Sequence, residues 1–264
     1  MNGPFSAMWA WDNPVPASVD ARGRGYAPAE PDRLVAFARA HGLTHVMLAA
    51  PWAADEGPVG EWFTAALRAL DDAGIAASAL GGDPGWLGSP ALAVQWSRAA
   101  RAAGATAVHL DLEPWALPAW GSDRTGSISR WLAVLDAVRA DLAGAALGVD
   151  CPWWLAAEPG TVFDDAVARA DRVVVVAFAD HAAGSDGILA LASPAAHRCP
   201  VPFTIGVETD TPEVAGGPQF TFYDEGAAVL EREAALVTTA FADLTGFEGV
   251  AVEHHRAWRT LLLR

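Results

Sequence analysis

Acidic and imidazole side chains are concentrated in one short segment, 107–114, which reads AVHLDLEP. If this segment is a strand, alternation places His109, Asp111 and Glu113 on one face and the apolar residues between them on the other. Burying an isolated carboxylate is costly, so two buried acids indicate groups that share protons, hold a cation or contact a substrate. Asp111 and Glu113 are therefore the first candidates for catalytic residues.

Further polar residues stand at the ends of other apolar runs. Asp150 ends one run, Glu208 a second, and Glu253 followed by His254 a third, while His181 follows a fourth. Carboxyl groups brought together in this way can supply a general acid together with a base or a nucleophile. The alternative is that some of these side chains are ordinary loop caps in solvent.

Tryptophan is the second informative residue type, with twelve in the chain. Four of them lie at helical positions and are expected to pack in the core: Trp62, Trp96, Trp131 and Trp258. The other eight are expected at or just after strand ends, on the side of the acids: Trp9, Trp11, Trp52, Trp86, Trp115, Trp120, Trp153 and Trp154. Aromatic faces stack on sugar rings and stabilise nearby positive charge, which suits the cationic transition state of glycoside cleavage. The same tryptophans could instead form a lid or a dimer interface.

The elements that must position these residues follow from the hydrophobic pattern. Short apolar runs predict strands at 4–11, 43–50, 75–80, 106–113, 145–151, 172–179, 201–208 and 247–253, and amphipathic segments between them predict helices. Eight such units predict an α/β fold, a (β/α)8 TIM barrel formed as a single domain by residues 1–264. A doubly wound sheet is the alternative, disfavoured because no G-x-G-x-x-G follows the first strand. In such barrels catalysis occurs at the carboxyl ends of the strands.

Composition excludes several classes of function. The net charge of −15 argues against nucleic acid and membrane partners, because phosphates would be repelled. All seventeen basic residues are Arg, so the chain has no lysine for a Schiff base, a pyridoxal phosphate anchor or a phosphate loop. No signal peptide or long apolar span is visible, which predicts a cytoplasmic protein.

These residues resemble the retaining glycoside hydrolases built on (β/α)8 barrels. Those enzymes carry the acid/base Glu at the end of strand four, within Asn-Glu-Pro, and the nucleophile Glu at the end of strand seven. Here Leu112-Glu113-Pro114 and Glu208 stand at the corresponding places. The resemblance implies Glu113 as proton donor and Glu208 as nucleophile, with Leu112 in place of the Asn that binds the sugar 2-hydroxyl.

The same strand is also similar to the chitinase-type family, whose acidic strand ends in Asp-x-Asp-x-Glu. The segment from His109 to Glu113 keeps the last two acids and has His109 in place of the first. This resemblance implies that Asp111 orients the substrate's own amide while Glu113 remains the acid. Glu208 has no role as a nucleophile in that scheme.

The working hypothesis is an O-glycosidase that acts on a small or oligomeric sugar without a cofactor. Glu113, Glu208 and Asp111 are its catalytic residues, and His109 with Asp111 is expected to tune the protonation of Glu113. The residues expected to bind substrate are His109, Asp150, Glu253, His254, Trp9, Trp11, Trp52, Trp115, Trp153, Trp154 and Tyr223. Two loops, 114–126 with Arg124 as a candidate anion contact and 211–223 with Tyr223, are expected beside the pocket.

Three alternatives remain open at the level of sequence. A divalent-metal sugar isomerase or epimerase would use Glu113, Asp150, His181 and Glu253 around Mn or Mg. A cyclase handling a carbocation would need the same carboxylates and aromatic faces. A carbohydrate-binding barrel without activity would keep the tryptophans and need no acid pair.

Overall fold

The computed structural model describes residues 3–20 and 22–264, and its eight strands form one closed, all-parallel barrel in which each strand pairs with the next and β8 pairs with β1. The strands are β1 (Phe5–Ala10), β2 (His45–Ala49), β3 (Ala76–Gly81), β4 (Ala107–Leu110), β5 (Ala146–Pro152), β6 (Arg172–Val176), β7 (Phe203–Glu208) and β8 (Phe247–Glu253). The predicted (β/α)8 architecture is confirmed.

Helices follow the strands around the outside of the barrel. They are α1 (Pro31–Ala40), α2 (Gly57–Asp72), α3 (Pro90–Ala102), α4 (Ala119–Ser122), α5 (Arg124–Asp141), α6 (Trp154–Ala157), α7 (Val162–Val167), α8 (Ile188–Arg198), α9 (Pro212–Ala215), α10 (Ala227–Phe241) and α11 (His255–Leu261). Within residues 3–20 and 22–264, none of them combines the length and hydropathy needed to span a bilayer.

The first of these helices shows how the sequence sets its own boundaries. Pro31 stands at its first position, where a missing backbone N–H costs nothing. Leu34, Phe37 and Ala38 recur at helical spacing and are buried against the barrel. Gly42, at a φ of +69°, takes the left-handed turn that ends the helix and leads to the next strand.

Alternation along the strands separates two cores. The outward-facing residues, such as Val108 and Leu110 on β4, pack in the large core between strands and helices. A second, small apolar cluster fills the barrel itself and includes Trp9, Met47 and Val174. Other inward positions carry polar residues, such as His45 and His109, or glycines such as Gly148.

The inward polar residues pair with one another inside the barrel. His45 on β2 lies 3.0 Å from the hydroxyl of Ser78 on β3, measured from Nε2 to Oγ. Burial lowers the pKa of His45 to about 3, so this imidazole is neutral. His109 is also completely buried in the barrel, as the alternation along β4 predicts.

Strand β4 is shorter than the sequence predicts. The predicted strand reached residue 113, but the observed one ends at Leu110, and the N–H of Asp111 makes one more ladder bond, to the carbonyl of Gly81 at 3.0 Å. Pro114 has no N–H to continue the ladder and begins a 3-10 turn. Asp111 and Glu113 therefore lie on the segment leaving the strand and not within it.

Candidate active site

One cavity of about 940 Å³ opens at the carboxyl ends of the strands. Its lining comes from the ends of β1, β2, β3, β4, β7 and β8, and among the described residues none follows β5 or β6. Four predicted acids line it: Asp111, Glu113, Glu208 and Glu253. The fold thus brings together the carboxyl groups that the sequence places at three separate strand ends.

Glu113 lies at the exposed rim of this pocket. The indole N–H of Trp115 donates a hydrogen bond to its Oε1 at 3.2 Å. Partial burial of the carboxyl group nevertheless raises the pKa of Glu113 above its usual value, while the Trp115 bond opposes the shift. A raised pKa and a fixed orientation are the two properties that a general acid needs.

Beneath the pocket, Asp150 on β5 forms the centre of a buried hydrogen-bond network. Trp9 donates its indole N–H to Oδ2 of Asp150 at 2.9 Å, and Nε2 of His109 lies 2.7 Å from Oδ1. Burial lowers the pKa of His109 to about 3, and its Nδ1 has no partner among the described residues. A neutral imidazole with its proton on Nε2 therefore donates to Asp150.

Asp111 completes this network from the pocket side. Its carboxyl group is hydrogen-bonded to Asp150, and burial and the charge of Asp150 raise the pKa of Asp111 well above its usual value. Because Asp150 already accepts from Trp9 and His109, the proton shared by the two carboxyl groups belongs on Asp111. Asp111 thus presents a neutral carboxylic acid to the pocket, close to Glu113.

Two glycines allow this arrangement. A Cβ on Gly148 of β5 would lie 2.3 Å from Nδ1 of His109, so only glycine leaves room for the imidazole inside the barrel. A Cβ on Gly82 would lie 1.8 Å from the carbonyl oxygen of Asp111, so the chain after β3 can approach the chain after β4 only with glycine there. Glycine at these two positions leaves room for the His109 imidazole, which contacts Asp150, and for the backbone that carries Asp111.

The network predicts a stability difference between two buried tryptophans. Trp9→Phe should lower the free energy of unfolding by about 1–3 kcal/mol more than Trp131→Phe, because it leaves the buried carboxyl of Asp150 short of a donor. Trp131 is the matched control, since it is equally buried and its indole N–H has no partner among the described residues. Urea denaturation of both variants measures the difference, and equal losses would contradict the proposed charge on Asp150.

Glu208 ends β7 and is almost fully buried at the pocket floor. Its Oε1 accepts hydrogen bonds from the backbone N–H groups of Thr209 and Asp210, both at 2.7 Å. Burial raises the pKa of Glu208 to about 7, against the lowering effect of these two bonds. The two backbone amides thus hold the carboxyl group of Glu208 through one of its oxygens, Oε1.

Glu253 and His254, at the end of β8, occupy the neighbouring side. Trp11 donates its indole N–H to Oε1 of Glu253 at 2.8 Å, and burial followed by the charge of Glu208 raises the pKa of Glu253 well above its usual value. His254 Nε2 lies 3.2 Å from the carboxylate of Asp210, whose pKa is lowered chiefly by this contact. The peptide bond between Glu253 and His254 is cis.

Only some of the predicted tryptophans reach the pocket. Trp11, Trp52 and Trp86 line it, with Trp52 exposed and Trp86 stacked at a tilt on Trp96, the two ring centres 4.9 Å apart. Trp96, expected to be a core residue, is buried and also contributes to the lining. The aromatic wall of the pocket is thus on the β1–β3 side.

Four other tryptophans were expected to bind substrate and do not line the pocket. Trp9 points inward within β1 and is buried below the cavity, where it binds Asp150. Trp115 and Trp154 pack edge to face, with ring centres 5.8 Å apart, and Trp153 is half-buried beside them against the outer core. The Trp115 and Trp154 rings are thus buried by contact between the loop after β4 and the helix after β5. The hydrophobic pattern of the sequence does not reveal this contact, because the two segments are distant in the chain.

Two further expectations concern the loops. Arg124 begins α5, pairs with Glu158 and lies over the ring of Trp120 at 4.7 Å, so it does not reach the pocket. Tyr223 packs its ring against the guanidinium of Arg264, 4.1 Å away, and is likewise absent from the lining. From the second loop it is Val214 that borders the cavity.

The four residues of the alternative metal site do not all meet at one point: Glu113 and Glu253 line the pocket, and the other two do not. Asp150 lies beneath the pocket, and His181 lies outside it, half-exposed and paired with Asp180 and Asp186. Across the described part of the chain, no three His, Cys, Asp or Glu side chains are arranged to hold an ion.

Several lining residues were missed by the analysis of the sequence. Asp12 and Arg256 form an ion pair at 3.0 Å on the β1–β8 side, and Arg22 and Arg24 lie in the loop after β1. A signal existed for Asp12, which directly follows Trp9-Ala10-Trp11 at a strand end. No signal existed for the arginines, because only the folding of their loop places them at the pocket.

Comparison with known proteins supports the architecture. No protein-family model matches the sequence, and no curated protein matches it either. Among solved structures, the chain is similar to ICChI chitinase from Ipomoea carnea, with a TM-score of 0.59 and 13% identity over 96% of this chain and 95% of that one. The glycoside hydrolase domain of a PelA variant from Pseudomonas aeruginosa gives a TM-score of 0.51 and 15% identity over 97% of each chain.

An enzyme of another class has the same fold. A proposed deoxyribose-phosphate aldolase from Toxoplasma gondii ME49 gives a TM-score of 0.54 and 13% identity over 98% of this chain and 91% of that one. Identities at this level establish the fold alone. The structural relatives are thus (β/α)8 enzymes, glycoside hydrolases prominent among them.

Proposed function

We propose that this protein is a retaining glycoside hydrolase in which Glu113 is the acid/base and Glu208 the nucleophile. The observation that carries the proposal is the convergence of Glu113, Asp111 and Glu208 on one aromatic-walled pocket of about 940 Å³, a size suited to a small ligand. The aldolase fold relative does not offer an alternative, because a chain without lysine cannot form a Schiff base with its substrate.

The first step forms a covalent glycosyl enzyme. Glu208 Oε1 is held by two backbone amides, and we assign the attack on the anomeric carbon to Oε2. The bond between the anomeric carbon and the leaving oxygen breaks as Glu113 transfers its proton to that oxygen. Trp11 and Trp86 place aromatic surface beside the charge that develops on the sugar ring.

The second step returns the enzyme to its starting state. Glu113, now ionised, removes a proton from water, whose oxygen bonds to the anomeric carbon while the ester to Glu208 breaks. The sugar leaves with the stereochemistry of the substrate. Asp111, kept protonated by Asp150, adds no negative charge beside Glu113, so Glu113 can ionise at this stage.

A panel of 4-nitrophenyl glycosides of both anomeric forms tests this function. Release of nitrophenolate should be accompanied by a sugar whose anomeric configuration, followed by proton NMR in the first minutes, matches that of the substrate. A product of opposite configuration would show that an activated water molecule, and not Glu208, attacks the anomeric carbon. Absence of turnover across the panel, or turnover that chelators abolish, would contradict the proposal.

The pKa of Glu208 leads to a pH dependence with a defined sign. The nucleophile must be ionised, and its pKa is raised to about 7, so kcat/KM should rise as pH increases through about 7. Loss of the proton on Glu113 should lower the rate, and because burial raises the pKa of Glu113, this falling limb should lie at higher pH than an exposed carboxyl group would give. A flat profile between pH 5 and 8 would contradict the assignment of Glu208 as the ionising nucleophile.

A further inference from the structure

Arg24 forms part of the pocket wall in a way that the proposed mechanism does not use. Its NH1 group donates to the carbonyl of Trp11 at 3.1 Å, and its guanidinium carbon lies 5.3 Å from the centre of the Trp11 ring. Partial burial lowers its pKa, yet a guanidinium remains charged at any pH relevant to proteins. A cation is thus held beside the residue that binds Glu253.

The loop that carries Arg24 is folded to hold it there. The N–H of Asn13 donates to the carbonyl of Arg24 at 3.2 Å, and the side chain of Asn13 donates to Asp20 at 2.7 Å. A Cβ on Gly25 would lie 2.6 Å from the carbonyl of Val15, so the two halves of the loop meet closely. Arg24 therefore stands on packed backbone and not on a free surface segment.

Positive charge on this wall is not fully compensated. Arg256 is paired with Asp12 at 3.0 Å, but within residues 3–20 and 22–264 the guanidinium groups of Arg24 and Arg22 form no ion pair, and the charges of Asp12 and Asp20 act on Arg24 only from a greater distance. The two are close enough for Arg22 to lower the pKa of Arg24 by repulsion. Two adjacent guanidinium groups facing one pocket leave a place for an anion.

Four of the acids that line the pocket are either paired with another residue or shifted towards their neutral form. Asp12 is occupied by Arg256, and Asp210 by His254. On the floor, Asp111 carries the proton that it shares with Asp150, so it is neutral. Burial raises the pKa of Glu253 well above its usual value. The floor is consequently less negative than its number of carboxyl groups indicates, and the guanidinium groups of Arg22 and Arg24 remain without an ion-pair partner among the described residues.

We propose that Arg24, assisted by Arg22, forms a subsite for the carboxylate of a sugar acid, so that the substrates are glycosides of uronic acids. The planar guanidinium matches a carboxylate with paired N–H donors, and Trp11 beneath it keeps the group in place. This inference rests on the proposed function only in taking the ligand to be a sugar.

Binding of matched sugars tests the subsite directly. Sodium D-glucuronate against D-glucose, and sodium D-galacturonate against D-galactose, are titrated into the full chain and followed by NMR. At least one acid should bind about tenfold or more tightly than its neutral partner, as expected for charge-assisted hydrogen bonds, and 0.5 M NaCl should reduce the difference.

Three variants show whether Arg24 carries the preference. Arg24→Gln should abolish the preference for the acid over the neutral sugar. Arg24→Lys keeps the charge but not the paired donors, so it should reduce the preference without abolishing it. The preference that remains in Arg24→Lys shows that the loop still folds when Arg24 is replaced. Arg124→Gln is the control, because that guanidinium also lies over a tryptophan but outside the pocket, and its preference should be unchanged. Equal binding of acid and neutral sugars, no binding of either, or a preference that survives Arg24→Gln would each overturn the subsite.

The outcomes separate this inference from the proposed function. If the protein binds sugar acids selectively and through Arg24 but hydrolyses no aryl glycoside, the subsite is supported and the glycosidase proposal is contradicted. If the protein hydrolyses neutral aryl glycosides through Glu113 but binds no sugar acid, the glycosidase proposal is supported and the subsite is contradicted.

Discussion

Glu113→Gln should lower the turnover of 4-nitrophenyl glycosides by about 10²–10⁴-fold, the range that a positioned general acid contributes. The amide has nearly the shape of the acid and can keep the contact with Trp115, but it has no proton to give. With 2,4-dinitrophenyl glycosides, whose leaving group departs without protonation, formation of the glycosyl enzyme should be nearly as fast as in the wild type. Stopped-flow measurement of the burst of dinitrophenolate separates the two steps.

Glu158→Gln is the matched control for this variant. Glu158 is half-exposed and pairs with Arg124 outside the pocket, in an ion pair of the surface type that contributes little to stability. Its loss should leave turnover unchanged. If Glu113→Gln retained full activity on 4-nitrophenyl substrates, the proton donor would have to be sought among Glu253 and Asp111, which line the same pocket.

Glu208→Gln should lower turnover by about 10⁴-fold or more, because loss of the nucleophile removes the covalent route itself. Unlike Glu113→Gln, it should affect substrates with good and poor leaving groups alike. Added azide, a small anion that can enter the vacated space, should restore turnover and yield a glycosyl azide of inverted configuration. Glu213→Gln, on the same loop but exposed to solvent, should change neither rate.

Covalent labelling gives the decisive measurement for Glu208. A 2-deoxy-2-fluoro glycoside with a dinitrophenyl leaving group should add one sugar mass to the wild-type protein, on the peptide that contains Glu208. The Glu208→Gln protein should remain unlabelled. A label on Asp111 or Glu253 would identify that residue as the nucleophile in place of Glu208. Full activity of Glu208→Gln together with loss of activity in Asp111→Asn would favour the chitinase-like scheme.

The coupling among the acids explains why single residues in this site should not act independently. The charge of Glu208 contributes to the raised pKa of Glu253, and that of Asp150 to the raised pKa of Asp111. Removing any one of these carboxyl groups changes how the others share protons. The pH profile of each variant is therefore as informative as its rate.

Much of the fold could be predicted from the sequence because it depends on local periodicity. The β-branched run Val173–Val176 predicts a strand buried on both faces, and the helix from Pro31 to Ala40 is bounded by its own proline and glycine signals. Alternation likewise places His109 inside the barrel. These features require only neighbours in the chain, so the sequence alone determines them.

Part of the candidate site also follows from the sequence, once the strands are taken as parallel. The ends of parallel strands meet at one face, and Asp111, Glu113, Glu208 and Glu253 indeed line one pocket. Asp150 is the exception, because it lies within β5, two residues before that strand ends at Pro152, and is buried and absent from the lining. Depth within a barrel depends on the stagger between strands, and no single strand encodes it.

Only the tertiary structure shows which tryptophans border the pocket and which pack elsewhere, and only it places arginines in the pocket wall. Trp11 and Trp115 both follow strand ends, yet one borders the pocket and the other packs edge to face on Trp131 at 5.5 Å. Arg24 reaches the pocket because a loop folds back through contacts of Asn13. The sequence determines which residues stand at the barrel mouth, whereas packing between loops far apart in the chain decides which of them face the ligand, since those contacts have no period to reveal them.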